Sequence, residues 1–463
     1  MDDEGAGAIS FGTDGWRARE AEFTIPRVRM VGQAVATHLD AEGRGTDPVA
    51  VGYDARETSR GYAEELARVL AVNGHDVLIS DRDVPTPLVA TGVVDRGLAG
   101  ALMVTASHNP PEYNGVKFIP ADGAPALPAV TDAIEANLAS PTPRPEGEWG
   151  GVRAVDFQPG HTERALAIVD ADLSGLTVVY DAMHGSGRGV TDALLETAGA
   201  TVIRVRCERD PTFGGGAPEP SPANLEPLVT AVAAHDADLG VANDGDADRL
   251  AVATPDRGVV DENLLFAAFY DRLLETGAGP AVRTVSTTFL IDRIADAHGE
   301  SVIEVPVGFK WVAKAMAEHD ALIGGEESGG FSIRGHVREK DGVLMALVAA
   351  AATVDRPIDD RIDDLLATHG EVHQGKVSVD CPDDQKQPVL GRLAGAIPDA
   401  VAGRSVASVE DMDGFKLQLA DGAWVLVRPS GTEPKLRVYA EAGTAAAVEE
   451  LLAAGQDLVA AHR

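Results

Sequence analysis

Cysteine, lysine and long apolar segments are all scarce in this chain of 463 residues. Its two cysteines, Cys207 and Cys381, lie far apart and neither belongs to a Cys-x-x-Cys motif, which argues against a disulfide framework and a cysteine-ligated zinc site. The longest apolar segment, residues 343–354, is much shorter than the roughly 20 residues that a membrane-spanning helix needs. Residues 2–4 are acidic where a signal peptide requires basic residues. We therefore expect a cytoplasmic protein without a membrane partner.

Positive charge is in short supply as well. Lysine and arginine total 39 against 73 aspartates and glutamates, which gives a formal net charge of −34. Because a negative surface repels the phosphates of nucleic acids, we expect no nucleic-acid partner. The acidity is either the solvated surface of a mesophilic protein or an adaptation to high salt, where screening relieves the repulsion between like charges. Because only eight of the 39 basic residues are lysine, we favour the halophilic interpretation.

The length and the order of apolar segments predict several domains. At about 150 residues per domain the chain is long enough for about three. Strand-like and helix-like segments alternate up to about residue 370, which is typical of α/β domains with largely parallel sheets, whereas later strands occur in runs. We predict three similar α/β domains over residues 1–145, 150–258 and 259–370, with mixed, largely parallel sheets, and a C-terminal α+β domain over residues 371–463. A proline-rich segment at residues 141–147 marks the first boundary.

Ser107 is the first candidate functional residue. It lies in the segment 105–110, Thr-Ala-Ser-His-Asn-Pro, directly after an apolar strand, and open α/β sheets bind their ligands at the carboxyl ends of strands. A plain turn is the alternative. The Gly-x-Ser-x-Gly motif of a hydrolase is absent here. The neighbouring His108 is either a nucleophile or base, or a residue that stabilises the loop, and we favour the latter.

Asp244, Asp246 and Asp248 follow the next apolar strand of this kind. Carboxylates spaced by two residues with small residues between them can converge on one hard divalent cation. An EF-hand is excluded because Arg249 and Pro255 stand where its loop requires glycine and glutamate. The alternative is a solvated acidic turn. Three ligands on one short loop leave coordination positions open, which suits Mg²⁺ shared with a phosphate.

Two further loops have features of ligand-binding segments. Residues 324–330, Gly-Gly-Glu-Glu-Ser-Gly-Gly, present Glu326 and Ser328 in a way that suits a polyhydroxylated ligand, although a surface turn has the same composition. Residues 428–435 combine a guanidinium, two hydroxyls and backbone N–H groups that can surround a phosphate.

The four loops, in this order, resemble those of the α-D-phosphohexomutase family, the phosphoglucomutases and phosphomannomutases. The resemblance extends over essentially the whole chain. It includes four other motifs: Phe11-Gly12-Thr13-Asp14-Gly15-Trp16-Arg17, Asn114-Gly115-x-Lys117, His184-Gly185-Ser186-Gly187 and Gly308-Phe309-Lys310. The resemblance implies that all four domains surround a central cleft that excludes water.

The resemblance also implies a role for each loop. Ser107 carries a phosphoryl group, and a hexose 1,6-bisphosphate is both intermediate and activator. The implied catalytic residues are Ser107, Lys117, His108 and Arg249. The implied ligands of one Mg²⁺ per chain are Ser107, Asp244, Asp246 and Asp248. The implied substrate-binding residues are Thr13, Arg17, Lys310, Glu326, Ser328, Arg428, Ser430, Gly431 and Thr432.

One departure from the family pattern bears on the substrate. Some members have histidine after Glu-x-Ser-Gly, where this chain has Gly330. The sequence here, with Gly335-His336-x5-Gly342 following, looks closer to phosphoglucomutases, with Lys310 or His336 as substitute acid or base. We therefore predict a monomeric or homodimeric enzyme that interconverts glucose 1-phosphate and glucose 6-phosphate. The alternatives are a phosphomannomutase or dual enzyme, then a phosphoglucosamine mutase, and, outside enzymes, a silent sugar-phosphate-binding protein.

Overall fold

A computed structural model describes residues 6–12, 15–431 and 433–463 of the chain. It contains four successive units, each built on one sheet. Three have mixed sheets with helices and the fourth has an antiparallel sheet, so the predicted fold class is confirmed. In the described part of the chain, no helix is both long and apolar enough to cross a membrane.

The first unit contains a six-stranded sheet. Its elements are β1 (Trp16–Arg19), α1 (Ile25–Ala41), β2 (Val49–Tyr53), α2 (Ser59–Val72), β3 (Val77–Ser80), α3 (Thr86–Arg96), β4 (Gly100–Val104), β5 (Tyr113–Pro120), α4 (Pro128–Ala136) and β6 (Val152–Val155). The strand order is β1-β5-β4-β2-β3-β6, in which β4, β2, β3 and β6 run parallel while β5 and β1 continue the sheet with antiparallel pairs. The carboxyl ends of β2 and β4 therefore lie at one edge of this sheet.

The second unit contains a five-stranded sheet. Its elements are α5 (Gln158–Ile168), β7 (Thr177–Asp181), α6 (Thr191–Thr197), β8 (Thr201–Val205), α7 (Glu226–His235), β9 (Leu239–Asn243), β10 (Leu250–Thr254) and β11 (Gly258–Val259). The order is β11-β10-β9-β7-β8, with β9, β7 and β8 parallel. Strands β9 and β10 are buried along their whole length, because helices cover the sheet and leave no solvated face.

The third unit contains a four-stranded sheet of order β13-β12-β14-β15. Its elements are α8 (Glu262–Thr276), β12 (Ala281–Thr284), α9 (Leu290–His298), β13 (Val302–Val305), α10 (Phe309–His319), β14 (Ile323–Gly325), β15 (Phe331–Ile333), α11 (Gly342–Asp355) and α12 (Ile358–His369). The longest apolar segment of the sequence forms α11, which the carboxylate of Asp341 caps by accepting a hydrogen bond from the Leu344 amide.

The fourth unit has an antiparallel sheet of order β16-β21-β20-β19-β18-β17. Its elements are β16 (His373–Asp380), α13 (Asp383–Ala394), β17 (Ala400–Val401), β18 (Arg404–Glu410), β19 (Phe415–Leu419), β20 (Trp424–Pro429), β21 (Lys435–Ala442) and α14 (Ala445–Ala461). Burial along the edge strand β16 alternates because α14 covers one of its faces, whereas β20 in the middle of the sheet is buried on both faces.

The structure differs from the predicted domain division at one place. Strand β6 at Val152–Val155 falls in the predicted second domain, but it pairs with β3 at the edge of the first sheet. Helix α11 belongs to the third unit and also packs on α6, β9 and β10 of the second unit. One apolar core joins the first three units, while the fourth unit has a separate core. The position of β6 depends on pairing between distant segments, which a local pattern does not encode.

Candidate active site

Ser107 lies at the carboxyl end of β4, at the edge of the first sheet. Its side chain is buried, and its backbone adopts a left-handed conformation with φ of 49°. The Oγ donates a hydrogen bond of 2.6 Å to Oδ2 of Asp244, a residue of the second unit. The amide of Ser107 donates to Oγ1 of Thr105 at 2.8 Å. The hydroxyl is therefore held at the junction of two units and aimed at the acidic loop.

The acidic loop connects β9 to β10, and its three aspartates are fully buried. Oδ1 of Asp244 accepts hydrogen bonds from the amides of Asp248 and Arg249, so this carboxylate stabilises the conformation of its own loop. Oδ2 of Asp246 accepts a hydrogen bond of 2.6 Å from the hydroxyl of Thr86 in the first unit. The carboxylates of Asp244 and Asp246 thus both bond to hydroxyls of the first unit.

The three aspartates fit a divalent cation. Each offers an oxygen atom, and these atoms lie within 4.8 Å of one another. Oδ1 of Asp246 is buried and has no hydrogen-bond partner among the described residues. Burial, followed by the charges of Asp248 and Asp246, raises the pKa of Asp244 well above its ordinary value. Buried carboxylates that repel one another are stabilised by a hard cation, and oxygen ligands are those that Mg²⁺ prefers.

Glycine at position 245 permits the close approach of these two loops. A Cβ atom at Gly245 would lie 2.6 Å from the carbonyl oxygen of Ser107 and 2.9 Å from the ring of Pro218. Atoms of this kind do not approach so closely, and backbone cannot move aside as a side chain can. Any larger residue would separate the Ser107 loop from the acidic loop, so this glycine is part of the site.

Two lysines neutralise part of the negative charge. The Nζ of Lys117, on β5, lies 3.2 Å from Oδ2 of Asp248 and 3.4 Å from Oδ2 of Asp246. The Nζ of Lys340 lies 2.8 Å from the same Asp248 oxygen. Sequence reasoning singled out Lys117 but missed Lys340, because no pattern within its own segment relates it to an aspartate in another unit.

Lys340 also accounts for the glycine that departs from the family pattern. A Cβ atom at Gly330 would lie 2.6 Å from Cδ of Lys340 and 2.9 Å from its Cγ. The stem of the lysine thus occupies the space above residue 330, where some relatives have histidine. His336, one of the two substitutes suggested from the sequence, lies elsewhere: its Nε2 is 2.7 Å from Oδ2 of Asp341 in a buried cluster with His161.

His108 follows Ser107 in the loop, and the charges of Arg17 and Arg249 act on its imidazole. The Nδ1 of His108 is 3.5 Å from Ser107 Oγ, longer than the usual range for such a bond. The charge of Arg249, burial and the charge of Arg17 lower the pKa of His108 far below its ordinary value, so the imidazole is neutral at neutral pH. Arg17 itself donates to Oδ1 of Asn109 at 3.0 Å. The geometry favours Asp244 over His108 as the acceptor of the Ser107 hydrogen bond.

The segment 324–330 forms the turn from β14 to β15. Glu326 is buried, and its Oε1 accepts a hydrogen bond of 2.9 Å from the amide of Gly308. Burial raises the pKa of Glu326 to about 7, although the ammonium of Lys340 opposes the shift. Ser328 is half-buried in the same turn. The bond between Glu326 and Gly308 connects this turn to the start of α10, whose first turn contains Lys310.

The segment 428–435 connects β20 to β21 in the fourth unit. The Nε of Arg428 donates to Oδ2 of Asp413 at 2.9 Å, and the same oxygen accepts from the amide of Val307 in the third unit at 3.1 Å. Ser430 is buried, whereas Gly431 is exposed. The predicted Thr13 and Thr432 lie outside the described residues. Asp413 therefore connects the fourth loop to the segment that precedes α10, whose Gly308 amide is bonded to Glu326 of the third loop.

Sequence reasoning also missed Asp54 and Arg56, which follow β2 at the edge that carries Ser107. Both are almost completely buried, and Nε of Arg56 lies 2.9 Å from Oδ2 of Asp54. The guanidinium donates to backbone carbonyls of the Ser107 loop, among them that of Ser107 itself at 2.8 Å. The available signal was their position at the carboxyl end of an apolar strand, the same signal that identified Ser107.

Models of one protein family match the chain in four successive stretches. They are described as phosphoglucomutase/phosphomannomutase alpha/beta/alpha domain I (residues 8–144), domain II (residues 160–258), domain III (residues 261–369) and C-terminal domain (residues 377–456). Together they extend over most of the chain and contain each loop described above.

Individual proteins show the same similarity over nearly their whole length. A probable phosphoglucosamine mutase of Methanopyrus kandleri is 35% identical, covering 95% of both chains. A phosphoglucomutase/phosphomannomutase of Thermococcus kodakarensis is 32% identical, covering 97% of this chain and 98% of the other. A solved phosphoglucomutase/phosphomannomutase family protein of Burkholderia thailandensis shares the fold, with a TM-score of 0.83, 22% identity, and coverage of 99% of this chain and 98% of that one.

Proposed function

The chain belongs to the α-D-phosphohexomutase family of phosphoglucomutases and phosphomannomutases, and on this premise we propose that it interconverts glucose 1-phosphate and glucose 6-phosphate through a phosphoserine at Ser107. Enzymes of the family are intramolecular phosphotransferases. The observation that supports a phosphoserine here is the Ser107 hydroxyl, buried between two units and 2.6 Å from the acidic loop.

The reaction conserves both phosphoryl groups. In the first transfer the bond between phosphorus and Ser107 Oγ breaks, a bond forms from phosphorus to the free hydroxyl oxygen of the hexose phosphate, and the proton of that hydroxyl passes, by way of a base, to Ser107 Oγ. The product is a hexose 1,6-bisphosphate. After it turns round, its other phosphoryl group returns to Ser107, whose proton goes to the hexose oxygen. Burial of Ser107 excludes water that would otherwise hydrolyse the phosphoserine.

Asp244, Asp246 and Asp248, together with an oxygen on Ser107, would hold one Mg²⁺. When bound, the ion supplies positive charge beside the transferring phosphoryl group. Lys117 and Lys340 supply further charge from the other side of Asp248, since both ammonium groups contact that carboxylate. Phosphoryl transfer depends mainly on such positioning and charge neutralisation.

The two remaining loops would bind the parts of the substrate that do not react. Glu326 and Ser328 would bind sugar hydroxyls, and Lys310 in the first turn of α10 would assist them. Arg428, Ser430 and the exposed backbone at Gly431 would bind the second phosphate. The ion pair between Nε of Arg428 and Asp413 orients the guanidinium, and its terminal nitrogens would bind an anion.

The identity of the hexose depends on the 2-position of the sugar. Glucose and mannose differ only in the orientation of the 2-hydroxyl, and residues that grip the 3- and 4-hydroxyls do not separate them. With Gly330 in the sugar loop we expect a modest preference for glucose, on the order of 10- to 100-fold in kcat/KM. Glucosamine phosphate is the second candidate, because the Methanopyrus kandleri relative is named for it.

A coupled assay over glucose, mannose, glucosamine and N-acetylglucosamine 1-phosphates tests the proposal. The expected order is glucose above mannose by the stated ratio, with turnover dependent on Mg²⁺ and on a trace of hexose 1,6-bisphosphate. A ratio that favours mannose or glucosamine would replace the assignment. A preference for glucose above about ten-thousand-fold would show a specific 2-hydroxyl contact, because only an unpaired buried partner penalises the wrong sugar so heavily.

A further inference from the structure

The guanidinium of Arg56 is bonded almost entirely to the backbone of the Ser107 loop. Its Nη2 donates to the carbonyls of Ser107 at 2.8 Å and Asn109 at 2.7 Å. Its Nη1 donates to the carbonyls of Pro110 at 2.7 Å and Tyr113 at 3.1 Å. Its Nε is paired with Asp54. All five N–H bonds of this arginine are therefore used, and the side chain is 1% exposed.

Asp54 completes the connection to the other backbone group of Ser107. Its Oδ2 accepts a hydrogen bond of 2.8 Å from Oγ1 of Thr105, and that same Oγ1 accepts from the Ser107 amide at 2.8 Å. Oδ1 of Asp54 accepts from the hydroxyl of Ser59 at 2.6 Å. The carbonyl of Ser107 is thus held by Arg56 directly, and its amide is held by Asp54 through Thr105.

These bonds stabilise a backbone conformation that serine ordinarily avoids. The φ of 49° at Ser107 places it in the left-handed region, which is unfavourable for a residue with a Cβ atom and persists only when the surroundings enforce it. In this conformation the Oγ reaches Asp244. With φ in the ordinary negative range, the Cα–Cβ bond would point elsewhere and the hydroxyl would leave the acidic loop.

Arg56 also contacts the second unit. The ring of Phe213 lies over its guanidinium, with 5.1 Å from Cζ to the ring centroid. Phe213 is buried and belongs to the segment between β8 and α7. Arg56 therefore touches both sides of the junction at which Ser107 meets the aspartates.

We propose that Arg56, paired with Asp54, is a positioning residue that sets the backbone conformation of Ser107 and thereby the place of its phosphoryl group relative to the acidic loop. The proposal rests on the proposed phosphoserine function. Arg56 touches neither substrate nor phosphoryl group, since its donors are all used within the protein. Its loss should therefore lower kcat and leave the KM for hexose phosphate nearly unchanged.

The test compares Arg56→Lys and Arg56→Met with Arg60→Lys, an exposed arginine on α2 that pairs with Glu64. Lysine keeps the charge but lacks the planar array of five donors. We expect Arg56→Lys to lower kcat by about a hundredfold with KM changed less than about threefold, Arg56→Met to lower it further, and the control to equal wild type. Folded fractions from circular dichroism and melting curves normalise each rate.

A milder pair guards against variants that fail to fold. Thr105→Val removes only the hydroxyl that links Asp54 to the Ser107 amide, and Thr105→Ser keeps it. We expect a kcat about tenfold lower for Thr105→Val and a kcat close to that of wild type for Thr105→Ser. Rates that fall only in proportion to the folded fraction, or a raised KM with unchanged kcat, would overturn the positioning role.

A crystal structure of Arg56→Lys separates this proposal from the proposed function. We expect Ser107 to leave the left-handed region and its Oγ to leave Asp244. If both stay in place in the variant, the positioning role is wrong whatever the substrate is. If instead the wild-type chain turns over none of the four hexose 1-phosphates, the proposed function fails, and the structure of the variant still decides the role of Arg56.

Discussion

The Ser107 loop with its acidic partner and the 428–435 loop both serve phosphate in the proposed reaction, yet they are built differently. Ser107 and the three aspartates are at most 1% exposed and are bonded across two units. The 428–435 loop is bonded largely within the fourth unit, where Nζ of Lys386 donates to the carbonyls of Ser430 and Glu433. Gly431 at its tip is exposed.

The difference matches what each loop has to do. A reacting phosphoryl group requires fixed dipoles and dry surroundings, because electrostatic stabilisation is strongest in a preorganised site without water. The loop for the other phosphate has to bind and release two different phosphates of one bisphosphate in turn. An open loop on a separate unit, connected to the third mainly through Asp413 and Val307, suits that exchange. Substitutions in the Ser107 loop or the acidic loop should therefore change kcat. Substitutions in the 428–435 loop should change KM.

The largest effect is expected at Ser107. Ser107→Ala removes the only hydroxyl proposed to carry the phosphoryl group, so turnover should vanish while the melting temperature stays near that of wild type. Intact-mass measurement should find the active wild-type fraction roughly 80 Da heavier, the mass of one added phosphoryl group, and the variant unmodified. Unchanged turnover in the alanine variant would disprove the phosphoserine mechanism.

The second largest loss of activity is expected in the acidic loop. Chelation, or Asp246→Asn, should lower kcat by about a hundredfold or more, because without the cation three carboxylates repel the incoming phosphate. Added Mg²⁺ should restore the chelated wild type but not the variant. Asp238→Asn, on the same unit but remote from the acidic loop, is the matched control. Full activity of Asp246→Asn in chelator would make the loop structural.

Arg428 tests the role of the 428–435 loop in substrate binding. Arg428→Lys keeps the charge but loses the bidentate geometry, so KM should rise about tenfold while kcat stays within about threefold. Arg404→Lys, a half-buried arginine of the same unit that pairs with Asp421 away from the 428–435 loop, should equal wild type. If kcat falls in Arg428→Lys and KM does not rise, the 428–435 loop takes part in the chemical step. The proposed division of roles between the two regions is then wrong.

Glu326, between the two regions, should show its burial in the pH dependence of stability. Its pKa is raised to about 7, so the folded protein holds this proton where the unfolded chain has lost it. Stability is therefore lost as pH rises from about 4.5 to about 7. Glu326→Gln keeps an oxygen acceptor for Gly308 without the charge and should raise Tm by a few degrees at pH 8, with little difference at pH 5. Melting curves at both pH values with equal differences would contradict this account.

The smallest effect per residue is expected from the negative charge of the protein surface, through its influence on thermal stability. If the net charge of −34 reflects adaptation to salt, Tm should rise between low and molar KCl, since the screening length falls to about 3 Å at 1 M. Added salt should change kcat, which depends on the buried Ser107 and acidic loops, less than it changes KM, because buried charges are screened little. A Tm that does not change with KCl would favour the solvated surface of a mesophilic protein.

Much of the site was predictable because its signals are local. Ser107 and the aspartates each follow an apolar strand, at the carboxyl edges of the first and second sheets respectively, where α/β sheets bind ligands. Lys340 and Arg56 were missed because their partners lie in other segments: Lys340 meets Asp248, and Arg56 meets carbonyls, which have no identity in a sequence. The same reason explains why β6 joined the first sheet and not the predicted second domain.

The sequence by itself determined the fold class, the four loops and their order, because strand periodicity and residue type at strand ends are properties of adjacent residues. Only the tertiary structure decided which groups meet. It placed Ser107 Oγ on Asp244, filled the space above Gly330 with the stem of Lys340, and put the Arg56 donors on the Ser107 backbone. The physical reason is that packing of one unit against another sets these distances, and packing depends on all the residues of both units together.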